Sequence, residues 1–116
     1  MTLAFLISAH TDPVHLARLV KSLPEDAAFF IHVDLKTDLP PFLPLAEDPR
    51  VHLLHRRINV VWGSIRQVEY QMELIREALS TGPFHRLIAI SGLDYPLWSN
   101  TRIVEFFSHL GDREVL

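Results

Sequence analysis

The chain has 116 residues, 48% apolar and 22% charged, the size and make-up of one globular domain with a single core. A formal charge of −3, with Arg56-Arg57 only a short local cluster among scattered Lys and Arg, argues against the basic face of a nucleic-acid binder. The absence of cysteine removes disulfides and thiolate metal sites, and no stretch approaches the roughly 18 apolar residues that span a bilayer.

Met1-Thr2 carries no basic region, and the apolar run behind it breaks at His10-Thr11-Asp12, so it reads as a strand rather than a signal peptide. The expected location is the cytoplasm, with peripheral membrane association left open. Leu3 to Ala9 is continuous and apolar without alternation, as in a strand buried on both faces. Asp12-Pro13 then starts a helix, with an acid as the cap and proline in the first turn. Leu16, Leu19, Val20 and Leu23 mark its buried stripe, and Pro24 stops it. Ala27 to Val33 is a second buried strand, ending in Asp34.

Leu35 to Arg50 carries prolines at 40, 41, 44 and 49 and reads as a long surface connection with one short helical turn. Val51 to His55 is a short third strand. Ser64 to Leu79 is the best helix. Ile65, Val68, Met72, Ile75 and Leu79 are its expected buried stripe, with Arg66, Glu73, Arg76 and Glu77 on the wet side. Gly82-Pro83 ends it, Arg86 to Ser91 is a fourth strand, and Asn100 to Leu110 is a third main helix. Glu114-Val115-Leu116 reads as the start of a fifth strand. That order predicts an α/β fold, a mostly parallel sheet with flanking helices. The expected unit is a single domain over 1–116 that is truncated from a larger fold.

Three chemistry-bearing residues follow strand ends: His10, Asp34 and Asp94. In a parallel sheet these ends share one edge, where open α/β folds bind ligands. Each alone also reads as an ordinary loop residue or cap; the three together favour a crevice. An acid after the second strand suits a ribose hydroxyl or a base N–H. No G-x-G-x-x-G or G-x-x-x-x-G-K-[ST] is present, which disfavours a dinucleotide oxidoreductase or a P-loop enzyme.

The seven histidines lack metal-ligand spacing: His52 and His55 would face opposite sides of a strand, and His32 lies within one. Trp62 is either packing at a helix start or an aromatic wall for a base or sugar. Ser91-Gly92 is no nucleophile elbow. Glu69, Glu73 and Glu77 read as a solvated helix face.

Four segments carry a resemblance: Ile7-Ser8-Ala9-His10 with Asp12-Pro13, Phe30-Ile31-His32-Val33-Asp34, Val61-Trp62-Gly63-Ser64, and Ser91-Gly92-Leu93-Asp94-Tyr95-Pro96-Leu97 with Ser99-Asn100. In this order they resemble the core-2/I-branching N-acetylglucosaminyltransferase family, which includes the peptide xylosyltransferases. The resemblance implies the N-terminal, nucleotide-binding half of a GT-A-type fold. It also implies inverting, metal-independent transfer of N-acetylglucosamine or a similar sugar from a UDP-sugar to a glycan or protein acceptor.

By the same resemblance, Ala9 and His10 lie beside the uridine, Asp34 holds the uracil or ribose, Trp62 lines the donor pocket and Asp94 shapes its floor. No metal and no cofactor is implied. The family's glutamate base and its basic residues for the diphosphate belong to a C-terminal half, so these residues are expected to be the donor side and inactive alone. Half a sheet with an open apolar edge would also be prone to self-association. The rival expectation is a non-catalytic nucleotide- or partner-binding module.

Overall fold

A computed structural model describes residues 3–61 and 63–91, with the side chain of Ser91 left aside. It contains strands β1 (Leu3–Ala9), β2 (Ala28–Val33), β3 (Val51–Leu53) and β4 (Arg86–Ser91), and helices α1 (Pro13–Ser22) and α2 (Ile65–Thr81). A 3-10 helix runs over Pro40–Glu47. All strand pairs are parallel, in the order β3-β2-β1-β4. The α/β architecture read from the sequence is therefore the one observed. None of the described helices is long and apolar enough to cross a membrane. The expected third helix and fifth strand lie outside the described residues.

The sheet is covered on both faces, which is why its strands read as unbroken apolar runs. Phe5, Ile7, Phe29 and Ile31 point to one face and pack with Leu16, Leu19 and Val20 of α1. Their neighbours Ala4, Leu6 and Phe30 point to the other and pack with Leu74 and Ala78 of α2. Each large side chain buried this way contributes about 1.5–3 kcal/mol before entropy is counted. Phe5 and Phe29, paired in register, stack with centroids 5.7 Å apart.

Helix α1 begins as expected. The Asp12 carboxylate accepts the His15 N–H at 3.0 Å, and its backbone takes the left-handed conformation, φ 51°, which short polar residues tolerate best. Leu23, extended ahead of Pro24, ends the helix.

Three expectations need correcting. Residues 35–50 are more ordered than a surface connection. Prolines supply no N–H, yet a 3-10 helix needs only i to i+3 bonds, and the Phe42 N–H donates to the Leu39 carbonyl at 2.8 Å. Phe42 then drops into the α1-side core, 1% exposed. Helix α2 is rotated by half a turn from its expected setting. Tyr70, Glu73, Leu74 and Ala78 face inward, while Ile65, Val68, Met72 and Leu79 stand exposed and Ile75 is half-buried. Glu73, assigned to the wet side, is 7% exposed and pairs with Arg56 and with Arg76, the latter at 2.7 Å. Strand β3 is also shorter than Val51 to His55.

Candidate functional site

A parallel sheet puts every strand's C-terminal end on one edge, and there a cleft of about 610 Å³ opens. Ser8, Ala9 and His10 enter it from the end of β1, and His32, Asp34, Lys36 and Thr37 from the end of β2. Asn59, Val60 and Val61 return across it from the segment after β3, and Tyr70 comes from α2. Strand β4 ends at Ser91, in register with Ser8.

Backbone bonds hold the strand ends together. The Asp34 N–H donates to the Ala9 carbonyl at 2.9 Å, and the Thr37 hydroxyl donates to the His10 carbonyl at 3.0 Å. The Arg57 guanidinium clamps the turn from behind, donating to the carbonyls of Val33 (3.1 Å), Asp34 (2.9 Å) and Thr37. A guanidinium suits this role because its donors are spread in a fixed plane.

Asp34 is the electrostatic centre. Its Oδ1 accepts the backbone N–H groups of Lys36 (3.1 Å) and Val60 (3.4 Å), and Oδ2 accepts the Lys36 ammonium at 3.0 Å. Burial alone would raise this carboxyl. The two N–H donors and the Lys36 charge outweigh it and hold Asp34 below the usual carboxylate range. Three of roughly four acceptor positions on the carboxylate are thereby used, leaving one on Oδ2. The Lys36 ammonium also donates to the Asn59 side-chain oxygen at 2.9 Å and to the Val60 carbonyl, so it ties the returning segment to β2. It is the one formal positive charge among the described lining residues.

His32 forms the buried side of the cleft. Its Nε2 accepts the Ile58 N–H at 2.9 Å, and Tyr70 meets its ring edge-on at 5.2 Å. Burial pushes its pKa below the ordinary value, against the pull of Asp34. An imidazole that accepts at Nε2 is neutral, so His32 is a structural acceptor here. Among the described residues no three His, Asp or Glu side chains come together as a cation site.

Of the residues singled out from the sequence, Ala9, His10 and Asp34 line this one cleft. Ala9 is buried and His10 exposed at its mouth. Trp62 and Asp94 lie outside the described residues. Sequence reading missed Lys36, Thr37, Asn59 and Tyr70. Lys36 and Thr37 carried a local signal, since an aspartate commonly accepts the N–H two residues on. Asn59 and Tyr70 carried none. Compared with known families, residues 3–115 match the family model described as Core-2/I-Branching enzyme. No curated protein matches the chain.

Proposed function

The chain belongs to the Core-2/I-Branching enzyme family, a family of glycosyltransferases, and from that premise we propose that its cleft holds the nucleotide of a UDP-sugar donor. The observation that carries this reading is the meeting of His10, Asp34 and Lys36 in one cleft at the C-terminal edge of a parallel sheet. The exposed ring of His10 flanks the base. The remaining acceptor position of Asp34 takes a uracil N–H or a ribose hydroxyl. Lys36 lends positive potential toward the diphosphate side, where charge grows as the sugar leaves.

In the proposed reaction the acceptor hydroxyl attacks the anomeric carbon of N-acetylglucosamine or a similar sugar. The acceptor oxygen–carbon bond forms as the bond to UDP breaks, with inversion and without a metal. A base must take the hydroxyl proton. Asp34 is unsuited to that role, because a carboxylate held below the usual range and three-quarters occupied is a weak base. It serves as a fixed acceptor, and the base comes from elsewhere in the full site, as does the acceptor glycan or protein.

Calorimetric titration with UDP and UDP-N-acetylglucosamine, with and without EDTA, tests the reading. Saturable binding that ignores EDTA and weakens about tenfold or more in Asp34→Ala is expected, given roughly 1.5–3 kcal/mol for a hydrogen bond to a charged group. Binding that requires a divalent ion, or a folded protein that takes up neither ligand, would overturn it.

A further inference from the structure

Strand alternation places Ala4, Leu6 and Ser8 of β1 and Ala28, Phe30 and His32 of β2 on the α2 side of the sheet. The first two of each set pack around Leu74 and Ala78. The third of each, Ser8 and His32, are partners in register and line the cleft. The inward stripe of α2 changes character at the same level. Counting back by four from Ala78 and Leu74 reaches Tyr70, whose ring meets His32 edge-on at 5.2 Å and packs with Ile58 and Val60.

Tyr70 is 5% exposed, yet its hydroxyl is not sealed in with the ring and opens into the cleft. Neither this hydroxyl nor that of the half-buried Ser8 has a hydrogen-bond partner among the described residues, and His32 is already engaged by the Ile58 N–H. A buried tyrosine ordinarily finds a partner for its O–H, and phenylalanine would fill the same space. The unmet hydroxyl therefore points to an atom of the ligand.

Resting on the nucleotide reading above, we propose that the Tyr70 hydroxyl donates to the 4-carbonyl oxygen of the donor's uracil. Depth along the strands decides which atom it meets. Asp34 follows His32 by two residues, and two residues of parallel strand rise about 6.6 Å. The ribose is held at the level of Asp34, through the one acceptor position still open there, and the base reaches one level deeper. Lys36, 56% exposed at its side chain, keeps the diphosphate end at the mouth. In uracil the ring atom opposite the glycosidic nitrogen is C4, so its exocyclic oxygen is the first to arrive at the floor. A carbonyl oxygen there satisfies a donor that the fold leaves unmet, at a site where leaving it unmet is costly. Tyr70 is thus a binding residue for the base, with no part in the transfer step.

Calorimetric titration of the protein and of Tyr70→Phe tests this, with UDP, UDP-N-acetylglucosamine and the 5′-diphosphate of pyrimidin-2-one riboside, which lacks the 4-oxygen. The variant is expected to bind UDP and UDP-N-acetylglucosamine more weakly by one common factor of about three to ten, the reach of a neutral hydrogen bond. The pyrimidin-2-one diphosphate should bind parent and variant alike. Because the hydroxyl has no partner within the fold, the circular dichroism melt should not move, whereas a structural role would lower it. UDP binding indifferent to Tyr70→Phe, an equal loss for the analogue without the oxygen, or a loss confined to UDP-N-acetylglucosamine (a hydroxyl facing the transferred sugar) would each overturn the proposal while leaving the nucleotide reading in place. A folded parent that takes up no UDP would overturn both.

Discussion

The carboxylate of Asp34 illustrates how a strand-end acid is made permanent. Burial works against its charge, and Lys36 with two N–H donors restores it. The Lys36 N–H contributes most to that, followed by the Lys36 ammonium and the Val60 N–H. In Lys36→Met the backbone donors remain while the ammonium contacts vanish, so the Asp34 carboxyl is expected to titrate at higher pH than in the parent. A folded pKa below the unfolded value contributes stability above the ordinary carboxylate range and loses it as pH falls through the folded pKa. In the variant that loss should begin at higher pH. Carbon-detected NMR titration of the aspartate carboxyls reads this, and an unmoved Asp34 would show that the N–H donors suffice alone. Asp34 was legible in the sequence because it follows an apolar run at once. Its partner Val60, and Asn59, which accepts from Lys36, were not, since they arrive only when the chain folds back across more than twenty residues.

At the scale of elements, the strands and the start of α1 follow from sequence, because continuous burial and an Asp-Pro cap are local signals. The setting of α2 does not. Its sequence holds two apolar faces, and the more regular one is the outer. Tyr70, Leu74 and Ala78, spaced by four, were the signal for the inner face, masked by Glu73 beside them. A buried glutamate looked improbable until Arg56 came within reach from the segment after β3. Proline content likewise concealed the 3-10 helix as a core element. Phe42→Ala is expected to cost about 3–5 kcal/mol, the range for deleting a buried phenyl ring. Leu43→Ala next to it, at a half-exposed position, should stay within about 0.5 kcal/mol. Urea denaturation separates the two; equal costs would contradict the burial of Phe42.

For the whole molecule, the cleft is also a source of acid sensitivity. His32 is neutral when folded, with its pKa below the ordinary value because it is buried. The unfolded chain therefore takes up this proton first. Stability is full above about pH 6.5, the unperturbed histidine value, and declines as pH falls from there to the folded pKa. Protonated His32 would also turn a donor toward the Ile58 N–H and loosen the segment that roofs the cleft. In His32→Gln the side-chain oxygen can accept that N–H without titrating, so the decline below about pH 6.5 should flatten. Denaturation midpoints at several pH values test it, and a slope identical to the parent's would remove His32 as the cause.

The strand order carries a consequence for how the protein is made. Leu3 to Ala9 precedes the other three described strands in the chain yet lies inside the sheet, and one of its two flanking partners, Arg86 to Ser91, comes much later. Parallel neighbours cannot form by a local hairpin, so every pairing here closes a long loop, the feature that slows folding most. Until Arg86 to Ser91 has been synthesised, one side of β1 offers a row of unmet backbone donors and acceptors beside Leu3, Phe5 and Ile7, an edge that invites foreign strands. A growing chain of this kind depends on chaperone cover or on rapid burial beneath α1. The earliest of the described strands is among the last of them to be completed.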